Sequence, residues 1–187
     1  VPDYSVRLSH NKSNDLFYFL TTRGELFELD IETGSQRLIA DSNDHHIGES
    51  QGLAISDSGL IFISGTNKDR QSATNEGKIS RGINQDGQWI WENVLTTEKY
   101  PLSNTAFDHN FNAIVLSPDQ KTLYVNSGSR TDHGEVHSVD GLYPNTREVA
   151  LTAKLFQVSA DTAELILLND YEFLKTNNFI YAEGLRN

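Results

Sequence analysis

The sequence predicts an all-β fold, part of a β-propeller made of four-stranded antiparallel blades. Short apolar runs alternate with turns that contain Asp and Gly, no stretch shows sustained helical periodicity, and the sequence repeats with a period near sixty residues. At that period the 187 residues supply about three blades, whereas propellers close with about four to eight. We therefore expect a partial ring whose remaining blades are missing from this chain.

The first blade is predicted over residues 4–45. Residues 16–22 (LFYFLTT) form an apolar and aromatic run, and residues 25–29 and 36–40 are further short strands. The turn at residues 30–34 (DIETG) carries Asp and Gly, which form the tight turns of antiparallel hairpins. This order of strands and turns is typical of the outer hairpin of a propeller blade.

An internal repeat places the second and third blades. Residues 52–66 (GLAISDSGLIFISGT) and 113–129 (AIVLSPDQKTLYVNSGS) both contain an apolar strand, a Ser, a turn with Asp, and a second apolar strand. Ser56 and Ser117 occupy matching positions 61 residues apart. We expect the first strand of each unit to lie near the propeller axis. A small β-sandwich is an alternative that explains the repeat less well.

The remaining strands complete these blades within one partial propeller domain, residues 1–187. The second blade is assigned to residues 46–105 and the third to residues 106–170, and residues 178–187 are predicted to begin the next blade. Further outward strands are predicted at residues 78–83, 89–96, 153–158 and 164–168.

Composition limits the classes of function. The net charge of −11 repels phosphates, so it disfavours nucleic acids and anionic membranes as partners, and it is compatible with neutral or cationic ligands or a divalent cation. The chain has no cysteine, which excludes disulfides, thiolate metal sites and cysteine nucleophiles. A cysteine-free chain fits a periplasmic or secreted protein and is also compatible with a cytosolic one. No apolar run reaches the length of a membrane span.

Three polar stretches stand where a predicted strand meets a loop. They are residues 108–112 (DHNFN), 128–135 (GSRTDHGE) and 183–187 (EGLRN). The start of one strand of an antiparallel hairpin and the end of the next lie at the same edge of the sheet. We therefore expect His109 and the loop at residues 129–133 to be neighbours on one face of the propeller.

His109, flanked by Asp108, is the candidate catalytic base, because the unperturbed pKa of histidine lies near neutrality. Arg130 could stabilise negative charge that develops on a bound oxygen. The structural alternative is a turn contact between Asp108 and His109 and a local ion pair between Arg130 and Asp132. The chemistry of the residues alone favours this alternative, since polar residues at loop ends are common.

Two further groups have a functional and a structural interpretation. His133, Glu135 and His137 alternate, so on a strand they would share a face and could bind a transition metal. The turn residues around Gly134 argue against a regular strand there. Trp89 and Trp91 are predicted to pack between blades, with a sugar-stacking platform as the alternative.

The stretch from residue 41 to residue 49 is acidic and contains a pair of histidines. It lacks the regular spacing of a calcium-binding loop, so we expect a solvated loop. His45 and His46 would point to opposite sides of an extended chain, which favours a loop feature over a pair of metal ligands.

Taken together, the polar stretches resemble the soluble quinoprotein glucose/sorbosone dehydrogenase family. The resemblance covers roughly residues 107–187 in order and spacing, whereas residues 1–100 resemble it only in blade pattern. The matching pieces are His109, residues 113–119, residues 123–128, residues 155–158 and residues 181–187 (YAEGLRN). The resemblance implies a six-bladed propeller that binds pyrroloquinoline quinone (PQQ) together with calcium.

The resemblance also implies roles for individual residues. His109 would remove the proton of the substrate hydroxyl while hydride passes to the quinone, and Arg186 and Asn187 would contact PQQ. Arg130 is a further candidate contact to the cofactor. Glucose-oxidising members have an Asp where this chain has Ser129, and Asp132 or Asp108 is the candidate replacement that orients His109. The calcium ligands of the family follow the Arg-Asn pair, so no metal ligand is assigned within this chain.

The predicted function is therefore a PQQ-dependent oxidoreductase that acts on a sugar or on an aldehyde or alcohol group, in the periplasm or outside the cell. A non-catalytic extracellular binding module on the same scaffold is one alternative. A lactonase-like calcium hydrolase is another, for which Glu49, Asn112 and Asn187 could supply the metal ligands.

Overall fold

The computed structural model describes residues 4–102, 111–131, 136–139 and 142–183 of the 187-residue chain. Within these ranges it contains three successive main sheets, antiparallel except for one short parallel pair, and a separate two-stranded hairpin, in agreement with the predicted all-β fold. No helix in the described ranges is long and apolar enough to cross a membrane.

The first sheet is the blade predicted for the beginning of the chain. Its strands lie in sequence order: β1 (Ser5–Asn11), β2 (Leu16–Thr21), β3 (Leu26–Leu29) and β4 (Gln36–Ala40). In the turn after β3, the Asp30 carboxylate accepts hydrogen bonds from the backbone N–H groups of Glu32 and Thr33 at 2.9 and 3.1 Å, and Gly34 adopts a φ of +71°. The DIETG turn forms because these residue types favour it.

A short helix, α1 (Ser42–His45), connects the first sheet to the second. The carboxylate of Asp41 accepts a hydrogen bond from the backbone N–H of Asn43 at 2.7 Å and caps the helix. Part of the stretch that the sequence predicted as a solvated acidic loop is therefore helical, and its last residue, His45, is buried.

The second sheet contains longer strands. They are β5 (Glu49–Ile55), β6 (Ile61–Asp69), β7 (Thr74–Gln85) and β8 (Gln88–Thr97), with the short β9 (Tyr100–Pro101) paired to the start of β7. The predicted outward strands at residues 78–83 and 89–96 lie within β7 and β8, as expected.

The third sheet is interrupted by insertions. The chain forms β10 (Phe111–Leu116) and β11 (Thr122–Ser127), then a separate hairpin, β12 (His137–Val139) and β13 (Leu142–Thr146), and returns to the sheet with β14 (Lys154–Ser159). It then forms β15 (Leu165–Leu167), the helix α2 (Tyr171–Thr176) and β16 (Ile180–Glu183).

The last two strands differ from the prediction. Residues 164–168 were expected to be the outer strand of the third blade, but β15 pairs in parallel with β8 of the second sheet. Residues 178–187 were expected to begin a fourth blade, but β16 pairs with β14 as the outer strand of the third sheet. After β14 the chain crosses to the second sheet, where Leu167 is buried, and α2 brings it back. An apolar run does not show which sheet a strand joins.

The predicted repeat corresponds to equivalent inner strands. β5 and β10 are each the first strand of their sheet, and they lie beside each other without pairing. Ser64 donates a hydrogen bond of 2.5 Å from its hydroxyl to the backbone carbonyl of Asn112, which connects the two sheets. A Cβ at Gly52 would come within 3.0 Å of that same carbonyl oxygen, so the absence of a side chain permits this approach.

Two apolar cores hold the three sheets together. One lies between the first and second sheets, and it includes Tyr18, Leu26, Ile47, Leu53 and Ile63. The other lies between the second and third sheets, and it includes Phe62, Ile79, Phe111, Leu123 and Phe156. This stacking of sheets through apolar faces is the packing of propeller blades.

The two tryptophans of β8 belong to the first of these cores. The ring centroids of Trp89 and Trp91 lie 6.4 Å apart, the edge of Tyr18 contacts Trp89, and the edge of His45 contacts Trp91. Packing between blades, the structural interpretation of this pair, is therefore confirmed.

Candidate functional site

The strand termini next to which the predicted site residues stand in the sequence lie at one edge of the third sheet. Phe111 pairs with Ser127, Ser127 with Lys154, and Lys154 with Glu183. β10 and β14 therefore begin, and β11 and β16 end, at the same level. We call this row the upper edge of the third sheet.

The predicted site residues are near this edge in sequence. His109 precedes β10 by two positions, Asp132 belongs to the segment between β11 and β12, and Arg186 and Asn187 follow β16. These four residues lie outside the described ranges, so their convergence stays a prediction. The expected juxtaposition of the start of β10 with the end of β11 is confirmed by the pairing of Phe111 with Ser127.

Arg130 is the one predicted site residue that the structure describes. It is only 1% exposed, and its Nε donates to the carbonyl oxygens of Pro101 and Leu102 at 3.1 and 3.0 Å. Its Nη1 donates to the carbonyls of Thr146 and Arg147. A guanidinium suits this environment because it presents five N–H donors in a fixed fork. Direct contact of Arg130 with a cofactor stays a prediction; the structure shows a side chain surrounded by main-chain carbonyls.

Glu148 completes the anchoring of the Arg130 loop. Its carboxylate accepts hydrogen bonds from the backbone N–H groups of Arg130 and Thr131, at 3.0 and 3.2 Å, and from the Thr131 hydroxyl at 3.1 Å. The loop that leads toward Asp132 is thereby fastened to the segment after β13. The sequence offered no periodicity or motif that singled out Glu148.

A second buried cation, Lys154, lies in the row of the upper edge. Its side chain is 1% exposed, and its ammonium donates to the carbonyl of Thr152 at 3.1 Å and lies 3.9 Å from Glu183. Tyr171 donates a hydrogen bond of 2.5 Å to the same carboxylate. Burying an ammonium group is costly unless it is paired and hydrogen-bonded, so these contacts explain its position. Sequence analysis did not identify it.

The start of β10 is fixed by side chains from the other two sheets. Thr66 accepts a hydrogen bond from the backbone N–H of Phe111 at 3.1 Å. Arg7 of the first sheet donates to the side-chain oxygen of Asn112 at 3.0 Å, and Ser64 donates to the carbonyl of the same residue. The strand that directly follows His109 therefore begins at a well-defined position.

The groups considered as metal ligands have other partners where the structure describes them. The carboxylate of Glu49 lies 2.8 Å from the ammonium of Lys68, and the Asn112 side chain accepts from Arg7. No group of three or more His, Asp or Glu side chains within the described ranges is arranged to hold a metal ion. The trio of His133, Glu135 and His137 falls partly outside those ranges, and metal binding there stays a prediction.

Hydrogen bonds to the backbone hold both ring nitrogens of His45 in place. Its Nδ1 accepts from the backbone N–H of Ile47 at 3.2 Å, so its Nε2 carries the proton and donates to the carbonyl of Gly24 at 2.7 Å. Burial lowers the pKa of its imidazole below the ordinary value of 6.5. A buried neutral histidine with both nitrogens bonded is a packing residue; it lies at the end of α1, where the sequence predicted a loop.

Comparison with known proteins supports the fold. No protein-family profile and no curated protein sequence matches the chain. Among solved structures it is similar to a protein from Thermus thermophilus, provisionally named an oxidoreductase (glucose dehydrogenase), with 13% identity and a TM-score of 0.55. The alignment covers 83% of this chain and 43% of that one, so this chain spans less than half of the Thermus protein. At this identity the likeness shows the fold alone.

A second solved structure gives a weaker match. It is the Cps50 (Swd1) β-propeller domain from Myceliophthora thermophila, with 13% identity, a TM-score of 0.33, and coverage of 84% of this chain and 63% of that one.

Proposed function

We propose that the chain is part of a PQQ-dependent oxidoreductase that oxidises an alcohol or aldehyde group of a small molecule such as a sugar. The observation that carries the proposal is the upper edge of the third sheet. Three polar segments, which contain His109, Asp132 and the Arg186-Asn187 pair, adjoin strand termini that share this single edge. The name of the Thermus protein, an oxidoreductase (glucose dehydrogenase), supports the same reaction class.

The charges at this edge suit an anionic cofactor. Two buried cations lie close to this edge along the chain: Lys154 stands in the row itself, and Arg130 follows Ser127 of β11 by three positions. The net charge of −11 includes both of them. Buried positive charge is screened less by water and salt than charge at the surface, so it favours a nearby anion. When bound, PQQ would accept the hydride of the substrate and become more negative, and these cations would stabilise that change.

In this proposal His109 accepts the hydroxyl proton of the substrate as the carbon–hydrogen bond breaks and the carbonyl forms. Asp132 orients the imidazole, and Arg186 and Asn187 bind the oxygens of the cofactor through hydrogen bonds. Arg130 serves as a positioning residue, because its guanidinium joins residues 101–102, which lead toward His109, to the loop that leads toward Asp132.

This proposal assigns calcium no ligand among the described residues. The geometry argues against the lactonase-like alternative. Two of its proposed ligands, Glu49 and Asn112, already contact the cations Lys68 and Arg7, which would repel a divalent ion. The non-catalytic binding module remains the rival that the experiment must separate.

The test replaces His109 with Gln in the full-length, calcium-loaded protein. Turnover should fall about 10²- to 10⁴-fold, the usual effect of losing a general base, while PQQ affinity measured by calorimetry changes little. His10→Gln is the matched control, since His10 lies near the end of β1 and bonds to Asp15 at 2.7 Å. A full-length protein that binds no PQQ, by absorbance or calorimetry, would favour the binding module.

A further inference from the structure

The first strand of each main sheet, β1, β5 and β10, has a β-bulge at the same position; we call these three the inner strands. In β1 the pairing register shifts between Ser5 and Arg7, and in β5 it shifts between Ser50 and Gly52. In β10 it shifts between Phe111 and Ile114. Each bulge lies near the beginning of its strand.

The turns that end these strands show that the bulges are equivalent. Asn11, Ser56 and Ser117 each accept, through the backbone carbonyl, a hydrogen bond from the N–H group three residues later. Counting five residues back from each of them gives Val6, Gln51 and Asn112. We call these three residues the bulge collar.

A bulge has consequences for the residues it contains. The extra residue is left out of the regular ladder, the strand bends, and a side chain is redirected, which is why bulges are frequent beside active sites. β5 lies between β1 and β10, so the three redirected residues lie at one level of the inner strands. We call the side of these strands that is expected to face the propeller axis the axial side. Two of the redirected residues, Gln51 and Asn112, carry carboxamides. Nearer the ends of these strands, residues of β1, β5 and β10 line a groove of about 290 Å³.

Arg7 spans the collar from one side to the other. Its guanidinium donates to the carbonyl of Val6 at 2.9 Å and to the side-chain oxygen of Asn112 at 3.0 Å. The bond to Asn112 occupies its carbonyl oxygen and leaves its NH₂ group to donate elsewhere. In the part of the chain that the structure describes, the Gln51 carboxamide has no protein hydrogen-bond partner.

The side chains of Arg7 and of the collar supply mainly N–H donors. One guanidinium and two carboxamide NH₂ groups, with a positive charge and no carboxylate among the collar residues, match a carboxylate better than a neutral hydroxyl or a cation. Arginine is favoured for this task because its fork fits the two oxygens of a carboxylate.

We propose that Arg7 and the bulge collar bind a carboxylate group of a small molecule on the axial side of the inner strands. The carboxylate can come from the substrate, which would make it a sugar acid, or from the quinone of the proposed function. The second source rests on the proposed function, whereas the first does not. Both present the same chemistry to Arg7, and the experiment separates them.

The experiment measures binding of D-glucuronate, D-glucose and PQQ to the full-length protein by calorimetry. In Asn112→Asp, the new carboxylate would still accept the hydrogen bond from Arg7, so the fold should be retained. Its negative charge would neutralise Arg7 and thereby block the site for a ligand carboxylate. Arg7→Met removes the charge. Both variants should weaken binding of the carboxylate ligand about 10- to 100-fold, the range expected for a charge-assisted hydrogen bond.

The matched control is Arg81→Met. Arg81 also connects two sheets, because it pairs with Glu92 within the second sheet and donates to the carbonyl of Ala160, which follows β14 of the third. It lies on β7, which is not an inner strand. The Arg81→Met variant should bind all three ligands with the same affinities as the parent protein. Circular dichroism checks each fold, and Asn112→Asp decides the question where Arg7→Met fails to fold.

The outcomes separate the two sources. Weakened glucuronate binding with unchanged PQQ binding identifies the substrate carboxylate, and the reverse identifies the cofactor. Loss of PQQ binding in every protein, including the parent, contradicts the proposed function but leaves a glucuronate result valid. The inference is overturned if neither carboxylate ligand binds the parent, or if Asn112→Asp binds both as tightly as the parent does.

Discussion

The close approach of the second and third sheets makes Gly52 a sensitive position. In Gly52→Ala the new methyl group would come within 3.0 Å of the Ser64 hydroxyl and of the Asn112 carbonyl oxygen. The carbonyl belongs to the backbone, so β10 must move to relieve the contact. Overpacking of this kind costs about 1–3 kcal/mol, and the lower entropy of the unfolded alanine chain offsets about 0.4–1 kcal/mol. We expect a net loss of about 1–2 kcal/mol in the free energy of unfolding.

Urea unfolding with linear extrapolation measures this loss, provided that the m value stays constant. Gly48→Ala is the matched control, because the nearest atom to its new Cβ would be the side-chain oxygen of Asn67 at 3.3 Å. A cycle with Ser64→Ala adds a second check. Removing the hydroxyl should reduce the cost of Gly52→Ala without abolishing it, since the Asn112 carbonyl stays in place. If Gly52→Ala is as stable as Gly48→Ala, the proposed contact between the inner strands is wrong.

Three further measurements test other parts of the structure. His45 is neutral in the folded protein because burial lowers its pKa below 6.5, and the unfolded chain takes up a proton first as pH falls. Stability should therefore be complete above about pH 6.5 and decline below it, and His45→Gln should flatten the profile there. Arg130→Met leaves buried carbonyls without a donor and should cost about 3–5 kcal/mol in denaturant unfolding, whereas Arg37→Met, at an exposed ion pair, should cost less than about 1 kcal/mol. Leu167→Ala should lower the free energy of unfolding by about 2–5 kcal/mol, because Leu167 is fully buried; a cost near zero would show that β15 does not dock on β8.

The inner hairpins could be predicted from the sequence because their chemistry is local. The hydroxyl of Ser56 accepts a hydrogen bond from the N–H group of Leu60, and that of Ser117 accepts one from Thr122, both at 2.9 Å. A serine before a turn thus performs the same task in both repeats. The spacing of such serines is visible in the sequence without knowledge of tertiary contacts.

Local sequence does not determine which sheet an outer strand joins, and the sheet predicted for residues 164–168 was wrong. The three residues of β15, Leu-Ile-Leu, could pair with the edge strand of any sheet that has an apolar face. Their pairing with β8 depends on contacts across the sheets, such as the bond from the N–H of Glu98 to the carbonyl of Leu167. Sequence periodicity carries no information about a partner about seventy residues away.

The burial of charged residues at the candidate site also could not be predicted from local sequence. Sequence analysis selected Arg130 because it follows a predicted strand on the same face as His109 and could stabilise negative charge on a bound oxygen, yet its guanidinium is buried among main-chain carbonyls. Lys154 was overlooked because it stands at the start of an ordinary strand pattern. Whether a cation is exposed or enclosed depends on the loops that cover it, and those loops have no periodic signature.

The parallel pairing of β15 with β8 affects how the second sheet meets its surroundings. The outer strand of a sheet normally presents unpaired N–H and C=O groups, which can recruit a strand from another molecule. Here the chain leaves the third sheet, covers part of the outer edge of β8 between Leu95 and Thr97, and then returns. A cut in the chain between the second and third sheets would divide this shared edge. Protein engineering by exchange of whole blades should therefore move residues 165–167 together with the second sheet, to keep that edge from self-association.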